Sequence, residues 1–346
     1  MSSPTPLKFL MPGWFSLVMG LCGLSLAWHR AQPVLGDMAS GIALVTGVLA
    51  LGVFGVLLVA SLLRASRYPA ALADDLKHPV RHAFVAAFPV SLLLLATVGV
   101  ALGGAEGGLS TLWRVVWWVG SLGQLWATLW VLGRWLAPVV AAPGQGPGNT
   151  GLWPSITPVL LIPVVGNVLA PLAGLPLGHT GWALAQFGIG AFLWPVVIAL
   201  ILARRIAHSP LPDRLLPAWF IVVAPPAVIG LVLAQMQAPL VAVQALWGLA
   251  LFLVLWVLPV LKRAIAQPFG VAFWALSFPL AAFTALTLRL VTLQGGTGGA
   301  LQMAGVLLLA ATSMVVLWLA FATVKGLRDG SLLAPEPVAN IVLASA

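Results

Sequence analysis

The sequence predicts an all-α integral membrane protein: ten transmembrane helices paired as five helical hairpins, with the odd-numbered helices inside and mostly kinked by proline. Three observations lead to this fold class. Of 346 residues, 61% are hydrophobic and only 7% charged, where a soluble domain carries about 25% charged residues. Mean hydropathy is +1.10, and the apolar residues gather into runs long enough to cross a bilayer. Prolines recur in alternate runs at similar depth.

The first run, about 10–29, follows a lone Lys8 and is succeeded by no small-residue cleavage site, so it reads as a retained span rather than a signal peptide. It holds the only cysteine, Cys22, which excludes a disulfide framework or a cysteine-based metal site. The second run, about 41–63, leads into "RASRYPAALADDLKHPVRH". The third, about 83–102, contains "AAFPVSL" with Pro89, and the fourth covers about 114–137. "AAPGQGPGNTG" at 141–151 reads as a turn rather than a domain linker. The fifth run, about 154–173, contains "LLIPVVGNVLAPLAG" with Pro163 and Pro171. The sixth spans about 181–203, and Pro195 makes it the exception among the even runs. The seventh, about 215–236, carries Pro225 and Pro226. The eighth covers about 240–261, and the ninth, about 271–291, contains "LSFPLAA" with Pro279. The tenth, about 301–324, precedes a short tail over 325–346.

Counted from the basic end of each run, Pro89, Pro163, Pro225 and Pro279 lie about seven to eleven residues in, or about 10–16 Å deep. Irregular backbone at that depth is tolerated where it is buried or lines a cavity. The arrangement that follows has the odd runs inside around a pathway and the even runs against lipid. The first run departs from the pattern, with Pro12 near its start and Gly13, Gly20 and Gly23 along it.

Of sixteen Lys and Arg, only Arg30, Arg114 and Arg289 fall at the less basic ends of the runs. The positive-inside rule then places both termini in the cytoplasm. It also accounts for the net charge of +9 without invoking nucleic acid. The seven acids, Asp37, Asp74, Asp75, Glu106, Asp213, Asp329 and Glu336, all lie outside the runs. Proton relays and cation sites place carboxylates within the membrane, so the pattern argues against a cation carrier and leaves anions or small neutral solutes. Kinks free carbonyl oxygens and add no N–H donors. Anion preference must therefore come from the basic field and from polar groups such as Ser16, Ser91, Asn167, Ser277 and Thr284.

His78 and His82 have an i, i+4 spacing that suits zinc, but no third ligand accompanies them. No nucleophile, phosphate-binding or dinucleotide motif occurs, so neither an enzyme nor a cofactor is expected.

Five stretches, "MPGWFSLVMGLCGLSLAW", "HPVRHAFVAAFPVSLLLL", "LIPVVGNVLAPLAG", "LPDRLLPAWFIVVAPPAVIGL" and "FWALSFPLAAFT", together resemble the tellurite-resistance/dicarboxylate transporter family. That family includes TehA-like channels and the plant guard-cell slow anion channels. The resemblance covers about residues 10–325. It implies a central pore in each protomer of a homotrimer, in the inner membrane of a bacterium. It also implies that a phenylalanine of the ninth helix, Phe278 here, occludes the pore against a small residue of the first helix, matched by Ser16. Ser16 stands where relatives typically have glycine. Candidate lining residues are Ser16, Gly20, Ser91, Asn167, Ser277 and Thr284. The implied function is a gated channel for small anions, with a proton-coupled or facilitated carrier or exporter of dicarboxylate, sulfite or a tellurium oxyanion as the alternative.

Overall fold

A chain in lipid must satisfy its backbone polar groups internally, and winding each crossing into a helix does so within the segment. The computed structural model describes residues 6–136, 152–208, 210–295 and 298–334, and every regular element among them is helical. The turn expected at 141–151 and the tail from residue 335 lie outside the described residues.

In chain order, a 3-10 turn Pro12–Phe15 leads into α1 (Ser16–Arg30), and the short α2 (Gln32–Leu35) leads into α3 (Asp37–Arg67). After α4 (Pro69–Lys77), the 3-10 segment Arg81–Ala86 runs into α5 (Ala87–Gly103), and α6 is Ser110–Leu136. Pro158–Gly174 is subdivided into a 3-10 turn, α7 (Leu161–Val165), a second 3-10 segment Gly166–Leu169, and α8 (Ala170–Gly174). Then follow α9 (Thr180–Ala207), the 3-10 segment Asp213–Val223 with α10 (Ala224–Gln235), and α11 (Leu240–Ile265). The 3-10 segment Val271–Leu276 enters α12 (Ser277–Leu293), and α13 is Ala300–Arg328.

Among the described residues, eight helices are long and apolar enough to cross a membrane: α3, α6, α9, α11, α13 and the three composites Arg81–Gly103, Asp213–Gln235 and Val271–Leu293. Their burial divides them sharply. The apolar windows of the composites are 78%, 89% and 78% buried, whereas those of the five continuous α-helices are between 22% and 39% buried. The composites, with α1 and Pro158–Gly174, therefore form an inner set wrapped by the continuous helices.

The prolines explain where the winding changes. Pro89, Pro163, Pro171, Pro225 and Pro279 each fall at the second or third residue of an α segment, and Pro226 follows Pro225. Each missing N–H therefore falls at the junction where 3-10 winding gives way to α, and not in the interior of an α segment, where it would break the helix. The residues before each of Pro89, Pro225 and Pro279 wind as 3-10.

Outer helices repair what the breaks leave open. On α6 the buried stripe is Trp117, Gly120, Ser121, Gln124, Ala127, Thr128 and Val131, a 3–4 spacing of small and polar residues. Gln124 Nε2 donates to the carbonyls of Ile162 (3.2 Å) and Pro163 (2.8 Å), and Thr128 Oγ1 donates to Pro163 O (2.6 Å). Asn167 Nδ2 donates to Thr128 Oγ1 at 2.7 Å, and Gln186 Nε2 of α9 donates to the Ser121 carbonyl at 2.8 Å. Thus α6 holds the segment around Pro163 by its own carbonyls, and α9 reaches it through Ser121 and the Asn167 side chain.

At the basic end, Asp75 of α4 accepts from Arg64 at 2.7 Å and from Arg81 at 3.1 Å. Arg64 also donates to the carbonyls of Lys8 (3.0 Å) and Ala71 (3.3 Å), which ties four chain segments together. Arg64 and Asp75 are both buried, and removing one member of such a pair strands the other. Asp75→Asn should destabilise the protein by about 3–5 kcal/mol. Asp213→Asn, whose pair with Arg263 is exposed, should cost no more than about 1 kcal/mol. Tryptophan-monitored unfolding in detergent compares the two.

Candidate functional site

Two cavities lie at opposite ends of the inner set. The larger, about 460 Å³, is lined by Ser16 of α1, Val90 of α5, Val165 of α7, Pro225 and Val228 of α10, and Phe278 and Pro279 of α12. The 3-10 entries add His78, Arg81, Arg214 and Phe273, and the segment after α13 adds Ser331 and Leu332. The second, about 310 Å³, is lined by Leu26, His29 and Arg30 of α1, Thr97 and Val100 of α5, Leu172 of α8, Gln235 of α10 and Arg289 of α12. The same inner segments thus supply both ends. Along α12, Phe278 in one cavity and Arg289 in the other are about 16 Å apart by helical rise.

Neither lining contains a carboxylate. Arg81 and Arg214 face the larger cavity, and Arg30 and Arg289 the smaller. His78 accepts at Nδ1 from the Val80 and Arg81 amides (3.1 and 3.2 Å), which fixes its ring at the rim. Burial, and then the Arg81 guanidinium, hold its imidazole below the ordinary histidine value, with Asp75 opposing.

Phe278 is buried at the inner limit of the larger cavity. The ring rests on α1 where side chains are smallest: a Cβ on Gly23 would stand 3.1 Å from Phe278 Cδ2 and 3.0 Å from Ala281 Cβ. One turn earlier, a Cβ on Gly20 would stand 2.2 Å from Ser277 Oγ. The two glycines bring α1 and α12 together as only small residues allow. Gly23, two turns beyond Ser16, is the residue that gives the ring its room. Ser16 lines the larger cavity, and its buried Oγ has no hydrogen-bond partner among the described residues.

The family model described as voltage-dependent anion channel (SLAC1) matches residues 10–324. The chain belongs to this family. Among its relatives, an uncharacterized transporter of Methanocaldococcus jannaschii is 26% identical over 311 residues, covering 81% of this chain and 83% of its own. The tellurite resistance protein TehA homolog of Haemophilus influenzae is 24% identical over 284 residues, covering 81% and 80%. The S-type anion channel SLAH2 of Arabidopsis thaliana is 24% identical over 220 residues, covering 63% of this chain and 40% of its own. The TehA homolog and the plant channel belong to the groups to which the sequence motifs pointed.

Within this SLAC1-family chain, several polar candidates sit in the packing and line neither cavity. Ser91 Oγ donates to Ala87 O at 2.7 Å, and Ser277 Oγ to Trp274 O at 2.6 Å. Thr284 bonds Leu280 O and Thr312 Oγ1 (2.8 and 2.9 Å), and Asn167 belongs to the α6–α9 network. A hydroxyl in lipid that can reach its own helix carbonyl satisfies itself there. Sequence reasoning noted Gly23 only among the glycines of the first run, did not single out Arg81 and Arg214, and used Arg30 and Arg289 only for topology. Arg289 alone breaks the apolar run of α12, and that interruption was the readable signal.

Gly20→Ala should destabilise the protein by about 1–3 kcal/mol through overpacking. Ser277→Gly in the same chain should restore part of the loss, and a double-mutant cycle of melting measurements reads the coupling.

Proposed function

We propose that this protein is a gated anion channel whose pathway runs between the two cavities and is occluded by Phe278. One observation carries the reading. The same inner segments line a cavity at each end, arginines face both, and no acid lines either. Such a field favours anions at the mouths and repels cations. The arginines of the larger lining come from the 3-10 entries, whereas the α segments α5, α7, α10 and α12 contribute apolar residues such as Val90, Val165, Val228 and Phe278, so an anion would be bound weakly beside the ring, and weak binding suits passage. The free Ser16 hydroxyl is the donor nearest to hand on α1.

The same reading takes the inner set and its wrapping helices as ten crossings in five hairpins, with Pro89, Pro163, Pro225 and Pro279 as bends. Both termini face the cytoplasm of a bacterial inner membrane. Three copies assemble with one pathway each, as the resemblance implies, and the partners are lipid and small inorganic or organic anions. The names of the plant and Haemophilus relatives are consistent with that substrate class.

Phe278→Ala should raise anion flux into liposomes several-fold above wild type, with Phe278→Leu intermediate. Equal flux from all three, in protein that melts normally, removes Phe278 from the role. A proton-coupled carrier is the second reading, because His78 is a titratable group in the larger lining. Flux driven by a pH gradient alone, and abolished in His78→Gln, would favour it. A channel follows the electrochemical gradient of the anion only.

A further inference from the structure

Of the sixteen Lys and Arg, three lie at the less basic face, and two of these, Arg30 and Arg289, meet in one small cavity. Topology does not explain that convergence, since the positive-inside rule removes basic residues from this face. Both side chains line this one cavity and carry the same charge. Neither side chain makes a hydrogen bond or ion pair among the described residues, and no carboxylate lines the cavity. Of the other polar groups in the lining, His29 makes no side-chain hydrogen bond among the described residues, and Thr97 and Gln235 are already engaged. Thr97 Oγ1 donates to Leu93 O at 2.8 Å, and Gln235 Nε2 to Leu172 O at 3.3 Å. What remains is a pair of unspent cationic forks with five N–H donors each, on the C-terminal ends of two inner helices.

We propose that Arg30 and Arg289 form a binding site for a doubly charged oxyanion, such as sulfate or a short dicarboxylate, at the mouth opposite the Phe278 cavity. Two forks match the several oxygens of such an anion and its two charges. A halide meets few of the donors and neutralises one charge. The proposal deepens the anion-channel reading, on which it rests for the route the bound anion then takes. The site itself stands on the cavity alone.

The test uses the full chain, purified in detergent and freed of added lipid. Unfolding is followed in sodium sulfate, sodium succinate and sodium chloride at matched ionic strength. Sulfate and succinate should raise the wild-type midpoint more than chloride does. Arg30→Gln and Arg289→Gln should each weaken sulfate binding about tenfold or more, the loss of one charge-assisted contact. Arg263→Gln, an exposed position outside both linings, should keep the effect. With the repulsion removed, each cavity variant should also melt no lower than wild type in the absence of divalent anion, opposite to the loss of a structural ion pair. The proposal is overturned if sulfate acts like chloride, if both variants retain wild-type affinity, or if only added phosphatidylglycerol shifts the midpoint. Flux through Phe278→Ala is scored separately. Flux with unchanged sulfate binding in the arginine variants sinks this site and leaves the channel. Arginine-dependent binding with no flux for any anion does the reverse.

Discussion

Backbone hydrogen bonding in a medium without water is the constraint on which the rest of this structure hangs. The five continuous helices meet it alone, each within its own winding. The inner segments do not, because they change from 3-10 to α at mid-length and carry prolines at the change. Their stability therefore depends on neighbours. Around Pro163 the dependence is explicit: Gln124, Thr128 and Gln186 reach inward from α6 and α9 to carbonyls and to Asn167. An outer helix with lipid on one side and a polar stripe on the other cannot slide or rotate without exposing groups that lipid will not satisfy.

That anchoring frees the inner set to be built from very small contacts. Gly20 and Gly23 let α1 lie against α12 so closely that Ser277 and Phe278 occupy the space a Cβ would take. Ser277 is held by Trp274 O, while the Trp274 indole donates to Thr323 of α13 at 2.9 Å. The residue before Phe278 is thus fixed from both sides, and the ring itself is left against glycine on one face and the larger cavity on the other. Shape and charge come from different residues. The prolines set the winding and the cavity, whereas the field at the mouths is supplied by arginines on the entries and helix ends.

Much of this was legible in the sequence, for physical reasons particular to each feature. Composition and run length showed the membrane class, because 7% charge leaves no soluble alternative. Among the described residues eight helices have the length and hydropathy to cross, Pro158–Gly174 is a shorter apolar segment, and Pro12–Arg30 completes the inner set. The 3-10 entries themselves were not legible. An apolar run reads alike in either winding when it is buried all round, as Asp213–Gln235 is. The polar candidates misled for a related reason: Ser91, Ser277 and Thr284 are polar only until they bond their own helix. The resemblance pairs Phe278 with Ser16 on α1, and Gly23 could be read only as one of several glycines in the first run, because a glycine announces close approach without saying to what.

The position of Phe278 at a winding junction bears on how such a ring can move. On the α1 side the approach is close, since even a Cβ added at Gly23 would stand 3.1 Å from the ring. Motion has to be toward the larger cavity, which is where Pro225, Val228 and Val165 leave space. Pro279 follows Phe278 directly, so the amide that would lock the α turn behind it is absent and the 3-10 segment Val271–Leu276 can lengthen or tighten by one bond pattern at little cost. Burial favours the inward ring by about 1.5–3 kcal/mol for a phenylalanine, a gap small enough for an anion or a field to offset. On the proposal that Phe278 occludes the pathway, the proline set beside it in the first turn of α12 is the element that would let the ring move within an otherwise tightly packed helix pair.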